Sequence, residues 1–294
     1  MRKNRHATKA TTLEHQHDIK LVLDVRCQKT IERILRRAFP GFSVLGEEGV
    51  LGDQRSEHRW VVDPIDGTVN FAYGVPHSCV SIALQTRGVT PTFLSAGSEA
   101  FLPRGRRRET SQLAGLKSGV TNKRAREVEE YETWLGVVYD PFCDELWTAI
   151  RGQPARLNGK MIRVSRRSKL RETIVSVGFA KYRHTLEQML PVFHRLIHKV
   201  RKVRIMGAAA LSMVYVASGR FDAYLESGIR IWDIAAGGLI LECAGGEFWR
   251  EALPSRHTYR LIANNGLLRR KLGGAVGALK RTTGSQWSPH VARK

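Results

Sequence analysis

The chain has 294 residues, 42% of them hydrophobic and 8% aromatic, enough to build a substantial core in one large domain or two packed halves. Lys and Arg number 48 against 27 Asp and Glu, and the resulting formal charge of +21 attracts anions of every class without selecting one. No apolar run approaches the roughly 20 residues of a membrane span, and the basic N-terminus lacks a signal-type apolar stretch, so the expected setting is cytoplasmic.

Ile19–Leu23 reads as a short strand, after which Val25, Ile31, Ile34, Leu35 and Phe39 recur at helical spacing until Pro40 and Gly41 stop them. Phe42–Leu45 reads as a strand ending at Gly46-Glu47-Glu48-Gly49. Trp60-Val61-Val62 follows as a strand that ends on Asp63 and Asp66. Val80–Leu84 and Thr133–Tyr139 are further strands. Between them, residues 86–131 are rich in Gly, Ser, Thr and Arg with weak periodicity, which predicts a basic, disordered insertion carrying a short helix over 122–131. Asp144–Ile150 is strand-like and leads to a turn at Leu157-Asn158-Gly159. Thr173–Val177 is a strand, Thr185–Lys199 an amphipathic helix, and Val203–Ile205 a short strand before Gly207. Ala208–Ala217 is a helix of small residues, Phe221–Leu225 a strand and Trp232–Cys243 a helix closed by Gly245-Gly246. Leu261–Ala263 is a last strand before a helix, and residues 273–294 read as a frayed tail. The irregular alternation points to a layered, mixed α+β architecture with an N-terminal half over 18–160 and a C-terminal half over 161–272.

Acidic residues are the minority, so their positions carry information. Asp24, Glu47, Asp63, Asp66 and Asp233 each fall at a strand end or a helix start, where loops gather into sites. Carboxylates without cysteine suit Mg²⁺ or Mn²⁺, hard ions that take oxygen ligands and keep several waters. A lone Asp at such a place is more often a helix cap, but five of them, two spaced by Pro64, are not explained by capping. If a helix starts at Thr68, the amides of Gly67 and Thr68 form an anion site beside the carboxylates. A metal cluster next to an anion seat is what hydrolysis of a phosphate ester needs. The four scattered cysteines, Cys27, Cys79, Cys143 and Cys243, form no C-x-x-C pair and read as free thiols.

Gly46-Glu47-Glu48, Asp63-Pro-Ile-Asp-Gly-Thr-Val-Asn-Phe71 and Trp232-Asp-Ile-Ala-Ala-Gly237 resemble the paired signatures of the inositol monophosphatase family. Gly207-Ala-Ala-Ala210, Asp222-Ala-Tyr-Leu-Glu226 and Leu261-Ile-Ala-Asn-Asn265 fall in the family's order, and the resemblance spans residues 18–272 without the insertion. It implies an αβαβα sandwich and a Mg²⁺-dependent, Li⁺-sensitive phosphatase with two or three ions per site. Glu47, Asp63, the Ile65 carbonyl and Asp66 would hold one ion, and Asp63, Asp66 and Asp233 a second. Asp24 would reach a third through water and, with Thr68, orient the attacking water. The Gly67 and Thr68 amides would hold the phosphate, and Glu226 and the Ala209 backbone would face the substrate hydroxyls. In this scheme Glu47, Asp24 and Thr68 are the catalytic residues, and Asp66 and Asp233 also border the substrate. Three departures stand out: the polar stretch before Asp18 does not read as the family's opening helix, Ala208 stands where a hydroxyl residue is common, and the basic insertion replaces a short hairpin.

Inositol phosphate is the expected substrate, because Asn70-Phe71 after Gly-Thr matches the inositol branch. Fructose 1,6-bisphosphate, 3′-phosphoadenosine 5′-phosphate and histidinol phosphate are the alternatives within the fold. A non-catalytic RNA- or transcription-complex-binding module is the alternative outside it. A homodimer is compatible with the resemblance, and nucleic acid is the less favoured partner. His77 reads as structural, Met206 and Met213 as core, and Asp140-Pro141 as a turn.

Overall fold

The protein is described here by a computed structural model of residues 11–15, 18–87, 131–179 and 183–276. In chain order its elements are β1 (Thr11–His15), β2 (Asp18–Leu21), α1 (Val22–Ala38), β3 (Ser43–Gly46), β4 (Gly49–Leu51), β5 (His58–Asp66), α2 (Thr68–Ala72) and β6 (Cys79–Arg87). Then come β7 (Tyr131–Asp140), β8 (Glu145–Ile150), β9 (Arg156–Leu157), β10 (Lys160–Met161), β11 (Ile174–Val177), α3 (Arg183–Ile197) and β12 (Lys202–Arg204). The last are α4 (Ala209–Ala217), β13 (Ala223–Arg230), α5 (Ile231–Cys243), β14 (Glu247–Ala252), β15 (Thr258–Asn264) and α6 (Arg269–Val276). The first large sheet runs β10-β9-β8-β7-β6-β5-β3-β4 and the second β12-β11-β13-β15-β14, while β1 and β2 pair by themselves. Both large sheets are mixed: β5 is parallel to β3 but antiparallel to β6, and β13 is parallel to β11 but antiparallel to β15.

The order of layers follows from which helices are apolar on one side and which on all sides. In α5, Ile231 and the run from Ile234 to Leu241 are buried, so the helix has no face to give to water and lies between the two sheets with α4. Backbone approach there is close: a Cβ on Gly136 of β7 would meet the Ala236 carbonyl at 2.7 Å, and one on Gly237 would meet Met213 Cβ of α4 at 2.9 Å. Helix α1 covers the outer face of the first sheet with Ile31, Leu35 and the following Phe39 against Val44, Trp60 and Val62. Helix α3 covers the outer face of the second with Met189, Val192 and Leu196 against Val175, Val177, Ala223 and Leu225. The result is the αβαβα sandwich that the resemblance implied, and the core between the sheets draws on both halves of the chain.

Several boundaries differ from those read in the sequence. β5 ends on its two carboxylates as expected but starts earlier, at His58, and has a bulge against β6 between Asp63 and Asp66. Pro64 fits inside that strand because a bulge needs no ladder amide. Arg87 pairs with Tyr131, so the ends of the segment expected to be an insertion are strand, Tyr131 included; residues 88–130, with the rest of the helix expected over 122–131, lie outside the described residues. Helix α1 begins at Val22, earlier than expected, and α6 runs past Gly273 to Val276. β14 was not foreseen: it is an edge strand, half-buried along most of its length, so it shows no clean alternation. Among the described residues no helix is long and apolar enough to cross a membrane.

Candidate metal centre

The bulge and the turn after β5 set the local geometry. Asp63 Oδ1 accepts the Ile65 amide at 3.0 Å, which folds the Pro64 step back and leaves the Ile65 carbonyl to take the Thr68 hydroxyl at 2.9 Å. Gly67 sits at φ +86°, a conformation that strains any residue with a Cβ, and a Cβ there would lie 2.9 Å from the His77 carbonyl. Asn70 ties this turn to the second half of the chain by donating to the carbonyls of His77 at 2.9 Å and Met206 at 2.8 Å. Helix α2 has only five residues, so its dipole is small and the anion seat rests on the turn amides themselves.

Asp233 comes from the first turn of α5, where its Oδ2 caps the helix by accepting the Arg230 amide at 2.9 Å. Packing α5 against β5 and β6 brings it to the two aspartates of β5, and Ser81 of β6 holds the approach by donating to the Trp232 carbonyl at 3.1 Å. One carboxylate oxygen from each of Asp63, Asp66 and Asp233 then lies within 4.8 Å of the others. Asp63 and Asp66 are 1% and 6% exposed, so water cannot screen the group. Burial pushes the Asp63 carboxyl well above its ordinary range, and the charges of Glu47, Asp66 and Asp233 push it further. Burial lifts Asp66 to about 6 against the opposing pull of the Ala209 and Ala210 amides. Buried, mutually repelling oxygen donors are the donor set of a hard divalent cation, so the residues fit Mg²⁺ or Mn²⁺.

The remaining residues singled out in the sequence distribute as follows. Glu47 is half-buried, is positioned by its amide on the Val62 carbonyl at 3.1 Å, and acts electrostatically on both Asp63 and Asp66. Asp24 lies in the first turn of α1, is 3% exposed, and accepts the Leu21 amide at 2.9 Å. The Ala209 amide, expected to face the substrate hydroxyls, donates to Asp66 Oδ1 at 3.0 Å, which places this backbone N–H at the edge of the carboxylate group. Glu226 is lifted to about 8, chiefly by burial, although the Tyr224 hydroxyl donates to its Oε2 and favours the ionised form. Asp140 is fully buried and accepts the Phe142 and Cys143 amides, the expected turn, and burial pulls the His77 ring below its ordinary pKa.

Sequence reasoning missed four contributors. The Ala210 amide donates to Asp66 Oδ2 at 2.8 Å, and the Cys79 thiol approaches the same oxygen at 3.5 Å. Tyr224 grips Glu226, and Gly178 leaves room for it, since a Cβ at residue 178 would overlap that carboxylate. Only the spacing of Tyr224 and Glu226, two residues apart on one strand face, was a signal in the sequence.

The model of the inositol monophosphatase family matches residues 1–92 and 128–274. The chain is 36% identical over 249 residues to the Nus factor SuhB of Xylella fastidiosa, covering 82% of this chain and 74% of that one. It is 34% identical over 225 residues to the inositol-1-monophosphatase of Mesorhizobium japonicum, covering 76% and 68%. Among solved structures, the extragenic suppressor protein suhB of Bartonella henselae superimposes with a TM-score of 0.73 at 29% identity, over 93% of this chain and 91% of that one.

Proposed function

The chain belongs to the inositol monophosphatase family, and from that premise we propose that it hydrolyses the phosphate monoester of a small polyol, inositol 1-phosphate foremost, with Mg²⁺ as cofactor. The observation that carries this reading is the convergence of the buried Asp63 and Asp66 with the half-buried Asp233, whose mutual repulsion a bound cation would relieve. Asp63, Asp66 and Asp233 would hold the metal, with Glu47 and the Ile65 carbonyl completing the set. Bound there, Mg²⁺ supplies a water of lowered pKa and positive charge at the phosphate.

The chain's own groups define the rest. Thr68 gives its hydroxyl hydrogen to Ile65, so its oxygen faces a water as an acceptor. Asp24, whose carboxyl already accepts the Leu21 amide, would likewise accept, and the two together would orient the hydrogens of an attacking water so that a lone pair points at phosphorus. The Gly67 and Thr68 amides would take phosphate oxygens, because the positive-φ turn leaves the backbone open to close approach. Glu226, held by Tyr224, offers a carboxylate to the hydroxyls of a polyol.

The test is phosphate release with Mg²⁺ from inositol 1-phosphate, fructose 1,6-bisphosphate and 3′-phosphoadenosine 5′-phosphate, with Asp63→Asn and Asp233→Asn as controls. Preference for the inositol ester, lost in both controls, is the expected result; equal background rates throughout would discard the reading. A second reading, participation in a transcription complex, is favoured by the Nus factor relatives at 31–36% identity and by the charge of +21. Its measure is RNA binding against salt concentration, where a flat dependence removes it.

A further inference from the structure

Helix α1 buries polar side chains where an amphipathic helix buries apolar ones. Its two buried residues are Asp24 and Gln28, each 3% exposed, while Ile31 and Leu35 remain half-buried and Ile34 is 61% exposed. Asp24 and Gln28 lie one turn apart and so share a face. A buried Gln is costly unless its amide is paired, and this one is paired on both sides. Its Nε2 donates to Glu32 Oε1 at 2.8 Å and to the Gly49 carbonyl at 3.1 Å, while its Oε1 accepts the Glu48 amide at 2.8 Å. Turning the carboxamide over would set its oxygen against a carboxylate and a carbonyl, and its NH2 against an N–H. One orientation alone satisfies the group.

The residues that Gln28 grips follow Glu47 directly. Gly46-Glu47-Glu48-Gly49 is the turn joining β3 to β4, and β4 is the three-residue edge of the first sheet, with Gly49 and Val50 exposed. From the other side the Glu47 amide donates to the Val62 carbonyl at 3.1 Å, so the turn is pinned between α1 and β5. Gly46 belongs to the same clamp. Its φ is not positive, so backbone conformation does not demand a glycine; the close approach of Gln28 does, since a Cβ there would overlap the carboxamide. At the far end of the hairpin Gln54 is a comparable brace, donating from Nε2 to the carbonyls of Val44, Leu51 and Gly52, each at 3.2 Å.

We propose that Gln28 is a positioning residue of the metal centre: by holding the Glu48 amide and the Gly49 carbonyl it fixes where Glu47 presents its carboxylate to Asp63 and Asp66, a role that rests on the reading of Glu47 as a metal ligand. Without a cation the charge of Glu47 raises both aspartates, and the same repulsion pushes Glu47 away from them. A free turn would yield to that push, and a cation would then have to draw the carboxylate back. Gln28 holds the turn against it, so the ordering is done before the metal arrives. Such a clamp acts on metal affinity and leaves the rate of the loaded centre largely alone.

The test is Mn²⁺ binding to the full chain without substrate, read from the spin-resonance signal of the free ion, with the metal-free melting temperature of each variant as the measure of folding. Gln28→Ala should weaken binding ~10-fold. The Mg²⁺ concentration for half-maximal phosphate release should rise by about the same factor, while kcat at saturating Mg²⁺ stays within ~3-fold. Gln54→Ala loosens the same hairpin away from Glu47 and should change Mn²⁺ affinity less than ~2-fold. Gly46→Ala displaces the carboxamide without removing it and should match Gln28→Ala, so it replaces that variant if Gln28→Ala does not fold. The two together should cost ~10-fold, not the ~100-fold of independent effects. In a Glu47→Gln chain, Gln28→Ala should add less than ~2-fold. Unchanged affinity in folded Gln28→Ala, equal weakening by Gln54→Ala, or a full further loss in the Glu47→Gln chain would each overturn the positioning role alone. A wild-type chain that shows no saturable Mn²⁺ binding would overturn the metal reading, and the positioning role with it.

Discussion

Strand β5 carries two opposite electrostatic problems at its two ends. At its C-terminal end Asp63 and Asp66 meet Asp233 and feel Glu47; at its N-terminal end Arg59 feels Arg250 and Arg87 and, with Arg256 and Arg230, bears on His257. Elsewhere in the same chain charges are paired: Arg220 takes both oxygens of Glu145, and the fully buried Asp222 accepts Arg167 Nε at 2.7 Å, the Ile174 amide and the Ser165 hydroxyl. Where carboxylates are instead brought together, as at Asp63, Asp66 and Asp233, a counter-ion from outside would offset the repulsion. Pairing separates structure from site better than charge density does, because a net charge of +21 selects no particular anion.

The comparison breaks or sharpens at defined points. The largest effect is expected from Asp233→Asn, which should lower Mg²⁺-dependent phosphate release on the order of 10³-fold. The same change removes repulsion from the metal-free chain, so its melting temperature in EDTA should rise by about 2–4 °C per kcal/mol relieved. A fall would show that the cluster is not strained without a cation. Next comes pH. Asp66 and Glu226 have folded values of about 6 and about 8, raised above 3.8 and 4.5, so the stability they contribute is present in acid and lost as pH rises through those values. The metal-free chain should therefore melt progressively lower from about pH 4.5 to pH 8. Mg²⁺ should remove the Asp66 part of that slope, and Glu226→Gln the upper part, both read by calorimetry.

Gly67→Ala forces a Cβ onto a positive-φ turn against the His77 carbonyl, and kcat should fall about 10²-fold as the phosphate seat moves. Tyr224→Phe leaves Glu226 without its donor; KM for the polyol ester should rise about 10-fold, with little change for an aryl phosphate that has no hydroxyls to recognise. The smallest effect belongs to the paired control. Glu145→Gln should cost about 1 kcal/mol or less in denaturant unfolding, because the Arg220 side chain is 36% exposed and the pair is partly screened. A loss well above that would mean that pairing does more than neutralise.

Much of the site was legible because its signals are local. Asp63-Pro-Ile-Asp-Gly-Thr places two carboxylates at a strand end directly before a helix start, and Trp232-Asp places a carboxylate in the first turn of an apolar helix. The fold's two central helices were legible as well, since uniform burial leaves a uniform apolar sequence. What escaped had no local trace. The Ala209 and Ala210 amides reach Asp66 across 143 and 144 residues, and nothing in three consecutive alanines states where their N–H groups point. β14 escaped because an edge strand, half-buried on both faces, loses the period of two.

The sequence by itself determined the candidate carboxylates, the strand end and helix start around Gly67, and the family, because each is carried by neighbours within a few residues. Only the tertiary structure decided that Asp233 joins Asp63 and Asp66 and that α4 points its first amides at Asp66. Those meetings depend on sheet register and on which helix fills the space between two sheets, and both are set by packing the whole core at once.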